Sequence, residues 1–164
     1  MQVDQSNFDP IILALKAGNV SDFKARLSAF IQSALSFKIM HENEQAIKLK
    51  ESHYHFLMIG LLKSLFSMYN VTHELESGDG YVDTMIVPKA LFCTKNQAVI
   101  LEYKYSKEAS KLKSAATAAL RQIKKKNYIA TIVGEKHIKS VLQLGIAFHQ
   151  KEVEVVHEII EINT

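Results

Sequence analysis

Apolar residues along this chain recur first at intervals of three and four, then at intervals of two. The longer interval returns once before the shorter one closes the chain. A helix brings side chains back to one face about every 3.6 residues and a strand every second residue. The pattern therefore reads as helices, strands, one helix and more strands. Asp9 is placed to cap a first helix with Pro10 in its first turn, and Gly18-Asn19 to stop it after Ala17. Ser21 is expected to cap a second helix, apolar at Phe23, Leu27, Phe30, Ile31, Ala34 and Leu35. The words LALKAGNVSDFKARL are faintly like one ankyrin repeat. No second copy follows at any period, so the pair reads as a plain helical hairpin.

A longer helix is expected over residues 43–68, with an apolar stripe at Ile47, Tyr54, Met58, Leu61, Leu62 and Leu65. Alternation then predicts strands over 71–76 and 81–87, joined as a hairpin through Ser77-Gly78-Asp79-Gly80, with Pro88 ending the second. A connector over 89–96 leads to a third strand over 98–105. Residues 107–126 return to helical spacing, with a narrow face of Leu112, Ala115, Ala116, Ala119, Leu120 and Ile123 suited to close packing on a sheet. Residues 128–133 are expected to form a short central strand, parallel to its predecessor through that helix. Residues 141–149 and 153–160 read as a closing hairpin. The expected class is α/β: a mixed sheet flanked by helices, with an N-terminal helical segment. The 164 residues suit a single domain, divided into a helical hairpin over 1–42 and a core over 43–160.

Composition narrows the setting. A net charge of +3 does not by itself announce nucleic acid. The single cysteine, Cys93, excludes an internal disulfide and suits a reducing, cytoplasmic compartment. No apolar run reaches the roughly 18 residues of a membrane span, and the N-terminus lacks a signal-peptide pattern. A phosphate-binding NTPase is disfavoured because no GxxxxGK[ST] occurs.

The chemistry concentrates in the two central strands. Alternation places Glu102 and Lys104 on one face with Ala98 and Ile100, and Val99, Leu101 and Tyr103 on the other. Asp83 interrupts the preceding strand. A carboxylate leaving water costs several kcal/mol unless paired or metal-bound, so acids in such apolar surroundings need a reason. One is bland: a solvated Glu102–Lys104 pair at a strand end, with Asp83 closing a turn. The other is a divalent-cation site held by Asp83 and Glu102. Such hard oxygen ligands suit Mg²⁺ or Mn²⁺ better than zinc, and Lys104 would assist at a phosphate. Glu51 lies on the stripe of the long helix, as an edge residue or pointing into a site at the sheet end. His53 and His55 diverge on a helix and make poor co-ligands, and His149 and His157 are expected at the surface. Lys107, Lys111, Lys113, Arg121, Lys124, Lys125 and Lys126 crowd the last helix against one acid, Glu108. They read as a solvated face or as contacts to phosphates.

GDGYVD followed after 18 residues by E-x-K resembles the PD-(D/E)XK nuclease superfamily, whose core is an acid on one strand and E-x-K on the next. ESHYH, the ESGDGYVD hairpin, VILEYKY, AALRQIKKKNY and LGIAFHQKEV are similar in order to one branch. In that branch a small nuclease-like domain commonly follows an AAA-ATPase-like domain. The resemblance implies a restriction-endonuclease-like fold, with Asp83 and Glu102 as ligands of Mg²⁺ or Mn²⁺ and Lys104 as the catalytic lysine. It adds Glu51 and Gln122 to the site, with Tyr128 in support. The branch often carries arginines in the turn before the aspartate, where this chain has Asp79 and Tyr81 around Gly80. The implied function is metal-dependent hydrolysis of nucleic acid, DNA ahead of RNA. A catalytically silent binding or regulatory module of an ATPase-linked assembly is the alternative. A homodimer and a longer chain are open partners; a membrane is not.

Overall fold

A computed structural model describes residues 9–34, 47–77, 80–90, 95–125 and 128–162; the side chains of 47–52, 74–77 and 80–82 lie outside that description. Two helices come first, α1 (Asp9–Ala17) and α2 (Val20–Ala34). Gly18 sits between them at φ 68°, a left-handed conformation that lets its N–H reach back to Leu15 O and the next N–H to Ala14 O. The cap of α2 is Asn19 rather than Ser21. The helix starts two residues earlier than a Ser21 cap implies, so the Asn19 side chain accepts from the Asp22 N–H at 3.2 Å. Asn19→Ala is expected to cost about 1 kcal/mol in chemical denaturation.

The third helix, α3 (Ile47–Leu62), is shorter than its stripe predicts and tightens into a 3₁₀ turn at Lys63–Leu65. Where the chain turns, the Lys89 ammonium takes the carbonyls of Phe66 and Ser67 at 3.0 and 3.3 Å. The expected start at 43 lies outside the described residues. Strand β1 (Tyr69–Ser77) then pairs antiparallel with β2 (Gly80–Pro88), and β2 with β3 (Gln97–Tyr105). A 3₁₀ turn at Ala109–Lys111 leads into α4 (Leu112–Lys125).

Residues 128–133 correct the sequence reading. They form no strand but a short helix, α5 (Ile129–Ile132). Tyr128 and Ile132, four apart, are buried while Val133 is 55% exposed, and the Val133 N–H returns to Ile129 O at 3.0 Å. That is helical period in a β-branched run too short for composition to decide. The parallel partner of β3 is instead β4 (Ser140–His149), reached by the α4 crossover, and β5 (Glu152–Glu161) returns antiparallel beside it. The sheet therefore has five strands in the order β1-β2-β3-β4-β5, with β5 at one edge. It is a mixed α/β sheet flanked by helices. No described helix is long and apolar enough to cross a membrane.

Two apolar layers sandwich the sheet. On one face α1, α2 and α3 pack on Val99, Leu101 and Tyr103 of β3 and on Leu142, Leu144, Ile146 and Phe148 of β4. On the other, Ala98, Ile100, Met85 and Val141 meet Ile123, Tyr128 and Ile132. The expected alternation of β3 is thus realised. Gly145 sets how closely α4 lies: a Cβ there would stand 2.2 Å from Ala116 O and 2.6 Å from Leu120 N.

Candidate active site

Met85 belongs to the α4-side layer and Ile86 to the opposite one. Strand alternation therefore puts Asp83 on the α4 side and Thr84 on the other. Glu102 follows Ile100 on β3 and takes the α4 side as well. The two acids thus face the same way on adjacent strands. The β2–β3 ladder itself runs only over Ile86–Val99, Met85–Ile100 and Thr84–Leu101. Beyond Thr84 the strands are no longer paired, whereas β3 stays paired to β4 along its length. Asp83 and Glu102 stand at the mouth of this fork.

Each carboxylate accepts a hydrogen bond that positions it. Asp83 Oδ2 accepts from the Tyr103 N–H at 2.6 Å, taking a backbone donor that β2 leaves unladdered. Glu102 is buried, 2% exposed, and its Oε1 accepts from Gln122 Nε2 on α4. The close seat of α4 over Gly145 is what brings Gln122 down to the strand. Tyr128, fully buried just after α4, lies under the same group. Burial holds its phenol well above the usual tyrosine range, and the negative charges of Glu102 and then Asp83 push the same way. Tyr103 is raised by burial first; Asp83 and Glu102 add to this, and its hydrogen bond to Thr84 opposes it. Both phenols stay protonated at any ordinary pH. Lys104, two residues beyond Glu102, shares its side of β3 and is partly buried.

Glu51 lies one turn before Tyr54 on α3, and its side chain is outside the described residues. Tyr54 donates to Gln150 O and stacks on Phe148 with ring centres 4.3 Å apart. The first turns of α3 therefore lie near the ends of β3 and β4, on the face opposite α4. Asp79 and Tyr81 likewise lie outside the description. His53 is exposed and His55 half-buried against Tyr103, at 5.5 Å between ring centres, so the two diverge as expected. His157 is exposed, but His149 is half-buried, with Nδ1 2.9 Å from Ser106 O: a correction to its expected surface role.

The cations around α4 do not form one patch. Lys111 pairs with Glu108 and Lys124 with Glu158 of β5, both at 2.6 Å. Lys113 lies three turns before Lys124 on that β5 flank, away from the Gln122 flank. Arg121 and Lys125, one turn apart, face solvent, as does Lys107 ahead of the helix. The fold gathers Asp83, Glu102, Gln122 and Tyr128, with Lys104 on the same strand face. It keeps Lys113 and Lys124 on the far flank.

Sequence reasoning missed Thr84, Tyr103 and Gly145. A polar Thr84 alternating with apolar neighbours on a central strand was the available signal. As chemistry, the α4 face offers two hard carboxylates and no group of three His, Cys, Asp or Glu placed to hold a metal among the described residues. Magnesium suits that set, because it binds through one or two carboxylates and keeps water and phosphate as its other ligands. A carboxylate as buried as Glu102 also calls for positive charge nearby.

Comparison with known proteins adds two findings. A family model described as the PD-(D/E)XK nuclease superfamily matches residues 49–158, from α3 to β5, well over half of the chain. No curated protein matches it.

Proposed function

The chain belongs to the PD-(D/E)XK nuclease superfamily, and from that premise we propose that it hydrolyses phosphodiester bonds of nucleic acid, DNA ahead of RNA, with a divalent cation. The reading rests on the placing of Asp83 and Glu102 on one face of the sheet, where β2 and β3 part, with Lys104 on the same side of β3. In it, Asp83 and Glu102 hold Mg²⁺ or Mn²⁺. The cation, when bound, supplies positive charge against the negative charge that grows on the phosphate in the transition state.

The chain's own residues do the rest. Gln122 fixes one oxygen of Glu102 and so directs the other. The Tyr103 N–H does the same for Asp83. Lys104 places an ammonium beside the reacting phosphate, where it stabilises the developing anion more strongly than it would in water. Glu51 is the further acid of this reading. Arg121, Lys125 and Lys107 hold the phosphate backbone through screened, sequence-independent attraction. Lys111, Lys113 and Lys124 contribute less, since two of them already face a carboxylate.

The test is a cleavage assay with the purified chain on supercoiled plasmid, single-stranded DNA and RNA. Cleavage is expected with Mg²⁺ or Mn²⁺, stopped by chelator, and weaker as salt rises. If no substrate is cut across the metal series while plasmid is still retained in a binding assay, the chain is a silent binding module instead.

A further inference from the structure

We propose that Thr84 is a positioning residue for this site, acting from the opposite face of the sheet; the inference rests on the functional reading above and deepens it. Thr84 is fully buried. Its hydroxyl accepts from Tyr103 OH at 3.1 Å and lies 3.0 Å from His73 Nδ1. His73 is its cross-strand partner on β1, so three strands converge on this one hydroxyl.

The location gives the hydroxyl its purpose. Thr84 is the last β2 residue still laddered to β3. One residue on, the Tyr103 N–H to Asp83 bond ties the two strands across the gap. Tyr103 is thereby held twice, its backbone by Asp83 and its phenol by Thr84, and those two residues are neighbours on β2. The result is a closed loop of covalent chain and hydrogen bonds. It fixes the separation of β2 and β3 where the ladder no longer does, and hence where Asp83 stands relative to Glu102. Packing alone does not require a hydroxyl at this position. Valine has the same shape and favours a strand more strongly. A hydroxyl kept in such a layer costs stability unless it is bonded.

The experiment uses Thr84→Val, Thr84→Ser and Tyr103→Phe in the full chain. The first readout, without metal, is hydrogen exchange of the Tyr103 amide by NMR. Thr84→Val and Tyr103→Phe are each expected to speed its exchange by about tenfold, the loss of one buried hydrogen bond, with β4–β5 amides unchanged. Thr84→Ser is expected to restore the wild-type rate. The second readout is Mn²⁺ binding by electron paramagnetic resonance, expected to weaken severalfold in Thr84→Val and recover in Thr84→Ser. Unchanged exchange at Tyr103 in both Thr84→Val and Tyr103→Phe overturns the proposal. If exchange responds but the wild-type chain binds no Mn²⁺, the positioning role stands and the functional reading falls. Should Thr84→Val fail to fold, Tyr103→Phe decides, since it removes only the phenol oxygen.

Discussion

Asp83→Ala, Glu102→Ala and Lys104→Ala are each expected to lower metal-dependent cleavage by at least about a hundredfold, while the circular dichroism spectrum stays that of the wild type. The three act at one phosphate, so the double variants should lose little more than the single ones. Stability should move differently from activity. Glu102 is 2% exposed, and burial by itself works against a negative charge there. Glu102→Gln keeps the shape and removes the charge. Its melting temperature is therefore expected at or above that of the wild type, with cleavage lost. A variant set that cuts DNA unchanged would move the chemistry elsewhere in the molecule.

Gly145→Ala is the largest stability effect expected from a single methyl group, about 3 kcal/mol. The added carbon would meet Ala116 O at 2.2 Å and Leu120 N at 2.6 Å. Both are backbone atoms of α4, so no side chain can rotate out of the way and the helix itself must lift from the sheet. Ala116 and Ala119, both fully buried, would lose their contacts with it. Gln122 rides on the same helix and would leave Glu102. The substitution should thus lower the urea midpoint and weaken cleavage together. If the midpoint is unchanged, α4 is not seated as described.

Much of this architecture is written in the alternation of β2 and β3. Val99, Leu101 and Tyr103 against Ala98, Ile100 and Glu102 sort correctly because a strand has only two faces and each is covered by a different layer. The closing hairpin is legible for a related reason: a near-continuous apolar run, β4, and an alternating run, β5, flank Gln150, which turns at φ 50°. The segment 128–133 fails because both of its neighbours, β3 and β4, are already satisfied by each other, and burial of Tyr128 and Ile132 needs only one helical turn. The cap of α2 fails because side-chain oxygens at Asn19 and Ser21 compete, and the helix start decides between them. In the site, Asp83 and Glu102 stand out as acids in apolar runs. The bond from Tyr103 to Asp83 leaves no trace in composition, since every residue but proline carries an N–H. Nor does lysine content show that Lys111 and Lys124 face Glu108 and Glu158; sequence distance hides the second pair entirely.

The edge strand β5 carries Glu152, Glu154, Glu158 and Glu161 along its ten residues. Lys24 and Lys124 hold Glu154 and Glu158, but were two molecules to join border to border and antiparallel through it, Glu152 of one would meet Glu161 of the other across the new seam. Repulsion of that kind discourages open-ended stacking of sheets, so the protein can expose a long strand at its rim without seeding fibres.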